Sequence, residues 1–374
     1  MLDGRCGEGA TGRNPTLMAN DLEEALRARG AVFDVFHGVN VARHFGDVGR
    51  EWRAAREGAG VFAAGFRSLI GATGEDRVSF LQGMLSNDVK ALAPGQGTYA
   101  AMLTQQGRVV ADLRVYAQPE RLLLDVVAWR RAALQEALER YLVADDVELA
   151  APEEELVVGV EGPLARAVVG EALGGVELPR IPYAHVATEF QGARVLLIAA
   201  SEVDGEGVLL AATPRTAAAL FDACVEAGAR PLGMQALDIL RVEAGVPWAG
   251  IDIDEDTLIM ESGREAAISF SKGCYLGQEV VERIAARGHV NRGLAGIVCT
   301  GDALPAPGAR LLADGHEVGY VTSAVRSEAL SRGIGLAMIQ RKHSAAGERL
   351  TVDTGAAPMA VTVAAVPFSA HTSD

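Results

Sequence analysis

Beyond Gly288 the chain becomes a succession of short β-prone runs separated by glycine: 292–300, 309–312, 316–323, 332–339 and 349–364. Short strands joined by tight turns pair antiparallel, and such a set buries its apolar face by closing into a small barrel or sandwich. A domain boundary is therefore expected near residue 288. The preceding part has a different pattern. The run 60–69 reads as strand, and 77–85 reads as helix, with Val78, Leu81 and Leu85 at helical spacing. Residues 98–103, 108–117 and 121–126 follow as a meander broken at Gln106-Gly107 and Pro119-Glu120. An amphipathic helix over 129–141 carries Leu134, Ala137, Leu138 and Tyr141 on one side. Strands are then expected at 156–160, 195–200 and 205–210, and helices at 163–173, 214–227 and 233–243. A short helix over 21–29 precedes them all, and residues 1–16 read as a poorly ordered tail. Meander, helix, strand is an α+β signature.

Composition excludes several classes. The 374 residues carry 34 basic and 49 acidic side chains, a net charge of −15. DNA and membrane surfaces are anionic, so broad binding to either is not expected, although a local basic pocket for a small anion is compatible with this charge. Cys6, Cys224, Cys274 and Cys299 show no C-x-x-C spacing and are too few for a disulfide scaffold. Residues 1–14 lack the apolar core of a signal peptide, and no apolar run reaches 18 residues. A cytoplasmic address is the expectation.

Three segments carry chemistry-bearing residues. In Lys272-Gly273-Cys274-Tyr275-Leu276-Gly277-Gln278-Glu279, a cysteine stands beside a lysine, between glycines and just before a helical run. A cation and a helix N-terminus favour the thiolate, and glycine allows close backbone approach. The alternative is a helix-capping loop with Cys274 as a small buried filler. If the loop is functional, Cys274 lies near solvent or a pocket mouth, and Tyr275 packs against a neighbouring domain. The second segment runs from Arg241 to Asp254. Arg241 is either a fork for a ligand carboxylate or half of an internal ion pair. Asp252, Asp254, Glu255 and Asp256 lack the glycine and glutamate positions of a calcium loop, so no metal site is expected. In the third, Asp112 interrupts an apolar strand, where an acid needs a partner or a ligand. It suits a general base or a group that orients a ligand. Asn87 and Asp88 end a helix, where such residues cap. No dinucleotide fingerprint, phosphate loop or nucleophile elbow is present.

The octapeptide resembles the signature of the YgfZ proteins, the folate-binding branch related to the glycine cleavage T-protein; Leu276 stands where that branch more often has threonine. The stretches 80–89, 103–113 and 241–254 resemble the wider superfamily. The resemblance implies three domains around a central hole that receives tetrahydrofolate or another reduced folate: residues 17–60 with 145–287, an inserted α+β domain at 61–144, and a β-barrel at 288–374. It implies that Asp112 lies near the pteridine and N10, that Arg241 meets the glutamyl carboxylate, and that Glu206 helps hold the pterin. Ala111 replaces the first acid of the T-protein Asp-Asp-Leu pattern, and the stretch around Glu206 is shorter than its T-protein counterpart. The function implied is folate binding in support of iron–sulfur protein assembly or repair, with iron–sulfur clients or assembly proteins as partners. The sister branches imply a folate-dependent aminomethyltransferase, or a non-enzymatic protein-binding module with a vestigial pocket.

Overall fold

A computed structural model describes residues 20–153, 156–355 and 357–368. The expected tail at 1–16, and Cys6 with it, lies outside the described residues. The α+β organisation and the closed C-terminal antiparallel barrel expected from the sequence are both present.

Three β-systems set the frame. A six-stranded sheet contains Gly60–Ala63, Leu156–Glu161, His185–Phe190, Ala193–Ile198, Gly207–Ala212 and Arg230–Pro231. The helices Ala165–Ala172 and Pro214–Glu226 bury Val168, Val169, Leu220 and Phe221 against it. A five-stranded sheet contains Arg67–Thr73, Gly97–Leu103, Val109–Ala117, Leu122–Val127 and Glu148–Ala150. The helices Arg77–Met84 and Arg131–Glu139 cover it through Phe80, Leu81, Leu134 and Leu138. The barrel contains Arg292–Cys299, Arg310–Ala313, His316–Ser327, Arg332–Gln340, Arg349–Val352 and Met359–Ala364. The helix Met234–Ala244 joins the systems. Leu237 and Leu240 pack with the first sheet, while Ile239 and Val242 pack against Ile334 and Leu336 of the barrel.

Two expected strands are each divided in two. The run 60–69 breaks at a turn where Arg67 N–H donates to Ala64 O at 2.8 Å, and the chain passes there from one sheet to the other. The run 349–364 breaks after Val352, where Gly355 adopts φ +74°. The hairpin Val32–Phe36 with Val39–His44 and the helix Val48–Glu57 carry no counterpart in the sequence reading. Among the described residues no helix is long and apolar enough to cross a membrane.

Candidate functional site

Side chains two apart on a strand share a face. On the strand Val109–Ala117 this puts Asp112 beside Arg114, and Arg114 is in register with Asp125 of the next strand. Three charged residues in otherwise apolar strands thus meet where the five-stranded sheet faces the loop Ser201–Glu206. Arg114 Nη1 donates to Glu202 Oε1 at 2.6 Å and lies 3.4 Å from Asp125 Oδ2. Arg67 Nε donates to Asp125 Oδ1 at 2.8 Å, and Tyr116 Oη donates to Asp125 Oδ2 at 2.9 Å. All five side chains are buried. Burial works against the charge of both arginines, and the carboxylates beside them offset it, keeping both guanidiniums protonated.

This network forms the back of a cleft lined by Tyr99, Asp112, Tyr183, Ser201, Glu202, Asp204, Trp248 and Arg264 among others. Tyr99 Oη donates to Asp112 Oδ2 at 2.7 Å. That is the one hydrogen bond to the Asp112 carboxylate among the described residues, so its second oxygen remains available to a ligand. Burial, then the Asp112 charge, pushes the Tyr99 phenol well above its ordinary value, so it stays a donor. The Arg264 guanidinium lies 5.0 Å over the Tyr99 ring and bridges to Asp204 Oδ2 at 2.6 Å. Asp204 is 51% exposed and Arg264 is 18% exposed, which places this bridge at the mouth. The cavity behind it is about 20 Å³, room for about one water. A larger groove of about 1350 Å³ lies between the barrel and the 254–261 loop, lined by Arg108, Asp256, Arg292, Tyr320 and Arg341. Its buried charge is Glu261, bridged to Arg292 at 3.1 Å, whereas Arg67, Tyr99, Arg114 and Glu202 are all buried around the cleft, so the cleft is the better candidate.

The donor set suits a reduced folate. Tyr183 and Trp248 offer flat faces, Asp112 and Glu202 offer carboxylates for ring N–H groups, and the arginines offer anion contacts.

The residues singled out from the sequence are placed unequally. Asp112 lines the cleft. Glu206 does not: its side chain is exposed and its carbonyl accepts from Gly162 N–H at 2.8 Å. On the same loop it is Glu202 that lines the cleft. Arg241 is 1% exposed and beneath the cleft wall, its guanidinium 4.9 Å from the Trp248 ring. It donates to Asp238 at 2.8 Å, Asp252 at 2.5 Å and Ser323 at 2.7 Å. Those donors are spent within the protein, so Arg241 ties its helix to the barrel.

The octapeptide is a loop leading into the helix Gln278–Arg287, with Cys274 exposed. Lys272 does not serve as a loose charge beside the thiol. Its ammonium donates to Gln82 O and Leu85 O, both at 2.6 Å, and to Asn87 O at 3.0 Å. Burial lowers its pKa to about 8. Gly273 has open space around it, whereas Gly277 holds φ +84° with Thr104 O 2.5 Å from where a Cβ would sit. Gly277 is thus the glycine that close approach requires. Tyr275 is buried with Tyr99, Leu103 and Val109 of the five-stranded sheet. Gln278 Oε1 accepts from Tyr275 N–H at 3.2 Å, and Glu279 is exposed. Tyr99, Arg67, Arg114, Glu202 and Arg264 were not singled out from the sequence; charge within the apolar strands at 67, 114 and 125 was the available signal.

Comparison with known proteins agrees with this architecture. Residues 22–272 match the GCVT N-terminal domain, and residues 292–369 match the glycine cleavage T-protein C-terminal barrel domain. An aminomethyltransferase of Geobacillus kaustophilus is 30% identical, over 91% of this chain and 95% of the relative. One of Rubrobacter xylanophilus is 30% identical over 87% of each. The crystal structure of glycine cleavage system aminomethyltransferase T from Bartonella henselae superposes with a TM-score of 0.84, at 23% identity, over 94% of this chain and 97% of that one. With both of its parts matched and relatives covered almost end to end, the chain belongs to the glycine cleavage T-protein family.

Proposed function

We propose that the cleft binds a reduced folate and that the protein is a folate-dependent one-carbon transferase of the aminomethyltransferase type. The observation that carries this is Asp112: a half-buried carboxylate with one oxygen held by Tyr99 and the other unclaimed, in a cleft walled by aromatic rings. That the relatives matched over nearly their whole length are aminomethyltransferases supports the same reading over the iron–sulfur one. A bound reduced folate would supply the nitrogen atoms that take up the one-carbon unit. Around it, Asp112 holds or relays a proton at its free oxygen, and Tyr99 fixes that carboxylate's orientation. Glu202 accepts ring N–H groups, held in place by Arg114. Trp248 and Tyr183 exclude water from the ring faces.

A second reading, support of iron–sulfur proteins in the manner of the YgfZ branch, is favoured by the exposed Cys274 on a loop splinted by Lys272. Titration with tetrahydrofolate tests the common premise. Saturable binding, weakened at least tenfold by Asp112→Asn, is expected; no binding would leave a protein-binding module with a vestigial pocket. Turnover with tetrahydrofolate and an aminomethyl-lipoylated carrier protein then separates the two. Turnover lost in Asp112→Asn and kept in Cys274→Ser supports the transferase. Absence of turnover, with iron–sulfur enzyme activity in a deletion strain depending on Cys274, replaces it with the second reading.

A further inference from the structure

Arg264, at the cleft mouth, divides its donors between two partners. Its Nη groups go to Asp204, Nη1 to Oδ2 at 2.6 Å and Nη2 to Oδ1 at 3.4 Å. A guanidinium is a rigid plane, so anchoring both Nη groups fixes the direction of the Nε–H bond. That N–H donates to Tyr99 Oη at 3.4 Å, and the cation lies 5.0 Å from the centroid of the same ring. A long hydrogen bond and a cation–π contact thus hold one phenol together. The backbone of Arg264 is fixed as well. Its N–H donates to Ser262 Oγ at 3.1 Å, and its carbonyl accepts Ala267 N–H at 3.0 Å. Asp204 stands at φ +52°, a conformation that a residue other than glycine keeps only where its surroundings hold it.

A phenol oxygen carries a single proton and can accept as well as donate. With Arg264 donating to Tyr99 Oη, the phenol proton is free for an acceptor, and the one it meets is Asp112 Oδ2 at 2.7 Å. The Tyr99 ring is 5% exposed and stacks on Tyr183, with centroids 6.4 Å apart, so it has little room to turn. Asp112 takes no other hydrogen bond among the described residues, so the phenol sets which way its second oxygen faces. The links Asp204, Arg264, Tyr99 and Asp112 therefore run from an exposed loop to the carboxylate of the cleft, each fixing the next. The loop that supplies Asp204 also supplies Glu202, which lines the same cleft.

We propose that Arg264 is a positioning residue: held by Asp204, it aims the Tyr99 hydroxyl at Asp112 and so sets the direction of the free carboxylate oxygen in the cleft. The use of that oxygen in a reaction rests on the functional reading above; the orientation of the phenol does not.

Two measurements on the full chain test this, and the first needs no ligand. With tyrosines isotopically labelled at Cζ, a hydroxyl that exchanges slowly gives separate proton and deuteron signals in mixed light and heavy water. The Tyr99 signal is the one lost in Tyr99→Phe. Its hydroxyl is expected to exchange at least about tenfold faster in Arg264→Gln, and faster also in Asp204→Ala, which frees the Nη groups. A rate unchanged in either variant overturns the proposal. The second measurement is turnover with tetrahydrofolate and the aminomethyl-lipoylated carrier protein. Arg264→Gln is expected to lower kcat about tenfold or more, because a small misplacement of a reacting group costs up to about 100-fold. Arg264→Lys, which keeps the charge and loses the fork, should fall with it. A residue that only anchors ligand would raise KM at unchanged kcat. Because Arg264 acts through Tyr99, Arg264→Gln should lower kcat no further in a Tyr99→Phe background. Unchanged kcat in Arg264→Gln, full activity in Arg264→Lys, or equal losses in both backgrounds overturns the proposal. A wild type without turnover, whose Tyr99 hydroxyl still responds to Arg264, sinks the transferase reading and leaves the positioning role standing. Turnover with a hydroxyl indifferent to Arg264 does the reverse.

Discussion

Replacing Arg241 by alanine separates a ligand-binding arginine from a structural one. The guanidinium is 1% exposed, and its donors go to Asp238, Asp252, Ser323 and, at 3.4 Å, the Val246 carbonyl. Asp252 is 3% exposed; it also accepts Trp248 N–H at 3.0 Å and the Thr322 and Ser323 hydroxyls, both at 2.6 Å. Removing one member of a buried pair leaves the other charge uncompensated, a loss of about 3–5 kcal/mol. Asp252 keeps three hydrogen bonds, which puts the expected loss near the lower end, about 3 kcal/mol. Thr322 and Ser323 belong to the barrel, so the loss should appear as earlier release of the barrel in urea, followed by near-ultraviolet circular dichroism. Arg241→Lys keeps the charge but not the fork, and should still lose about 2 kcal/mol. A guanidinium held free for a ligand would behave oppositely, weakening binding with little change in stability. A loss below about 1 kcal/mol in Arg241→Ala would refute the structural assignment.

Three further outcomes follow from the geometry. In a Cys6→Ser background, an aromatic disulfide reagent should label one thiol rapidly, the exposed Cys274. Cys224 and Cys299 are buried, and burial pushes their thiols to about 12 and about 11; equal labelling of all three would contradict this. Glu161 has a folded pKa of about 8 against a reference of 4.5, so its contribution to stability is fully present below about 4.5 and lost as pH rises through 8. The urea midpoint of wild type relative to Glu161→Gln should fall from pH 5 to 8 and level off above 9, and a constant difference would exclude the shift. Gly162 holds φ +117° with Ala55 O and Gly58 O each 2.5 Å from a would-be Cβ, so Gly162→Ala should cost about 2–3 kcal/mol, read in the same urea transition.

How far the fold can be read ahead of the structure depends on where its turns are coded. Runs between glycine-rich turns become the barrel, because period-two burial and local reversal are both written in adjacent residues. The run 60–69 reads as one strand because it is mostly apolar on both sides of Gly65, and that lone glycine is the local signal for the turn that separates the two sheets. The hairpin Val32–Phe36 with Val39–His44 hides for a related reason. Val35 is 68% exposed and Val32 is 48% exposed, so its apolar residues do not mark a buried face.

The cleft was legible only at Asp112, because an acid within an apolar strand demands a partner whatever the fold. The identity of the partner is not local. Tyr99 arrives from the neighbouring strand and Arg264 from a loop more than 150 residues away, and neither has a pattern of its own. The same non-locality misdirects the reading of cations. Arg241 and Lys272 both look like charges offered outward, since nothing in the flanking sequence shows what they face. In the fold, Arg241 is spent on two carboxylates and a barrel hydroxyl, and Lys272 on three carbonyls at the end of the helix Arg77–Met84. A buried cation has to be satisfied in this way. Burial therefore decides between ligand group and cross-link, and on that criterion Arg264, at the mouth with a half-exposed partner, is the arginine best placed to exchange its carboxylate for a ligand's.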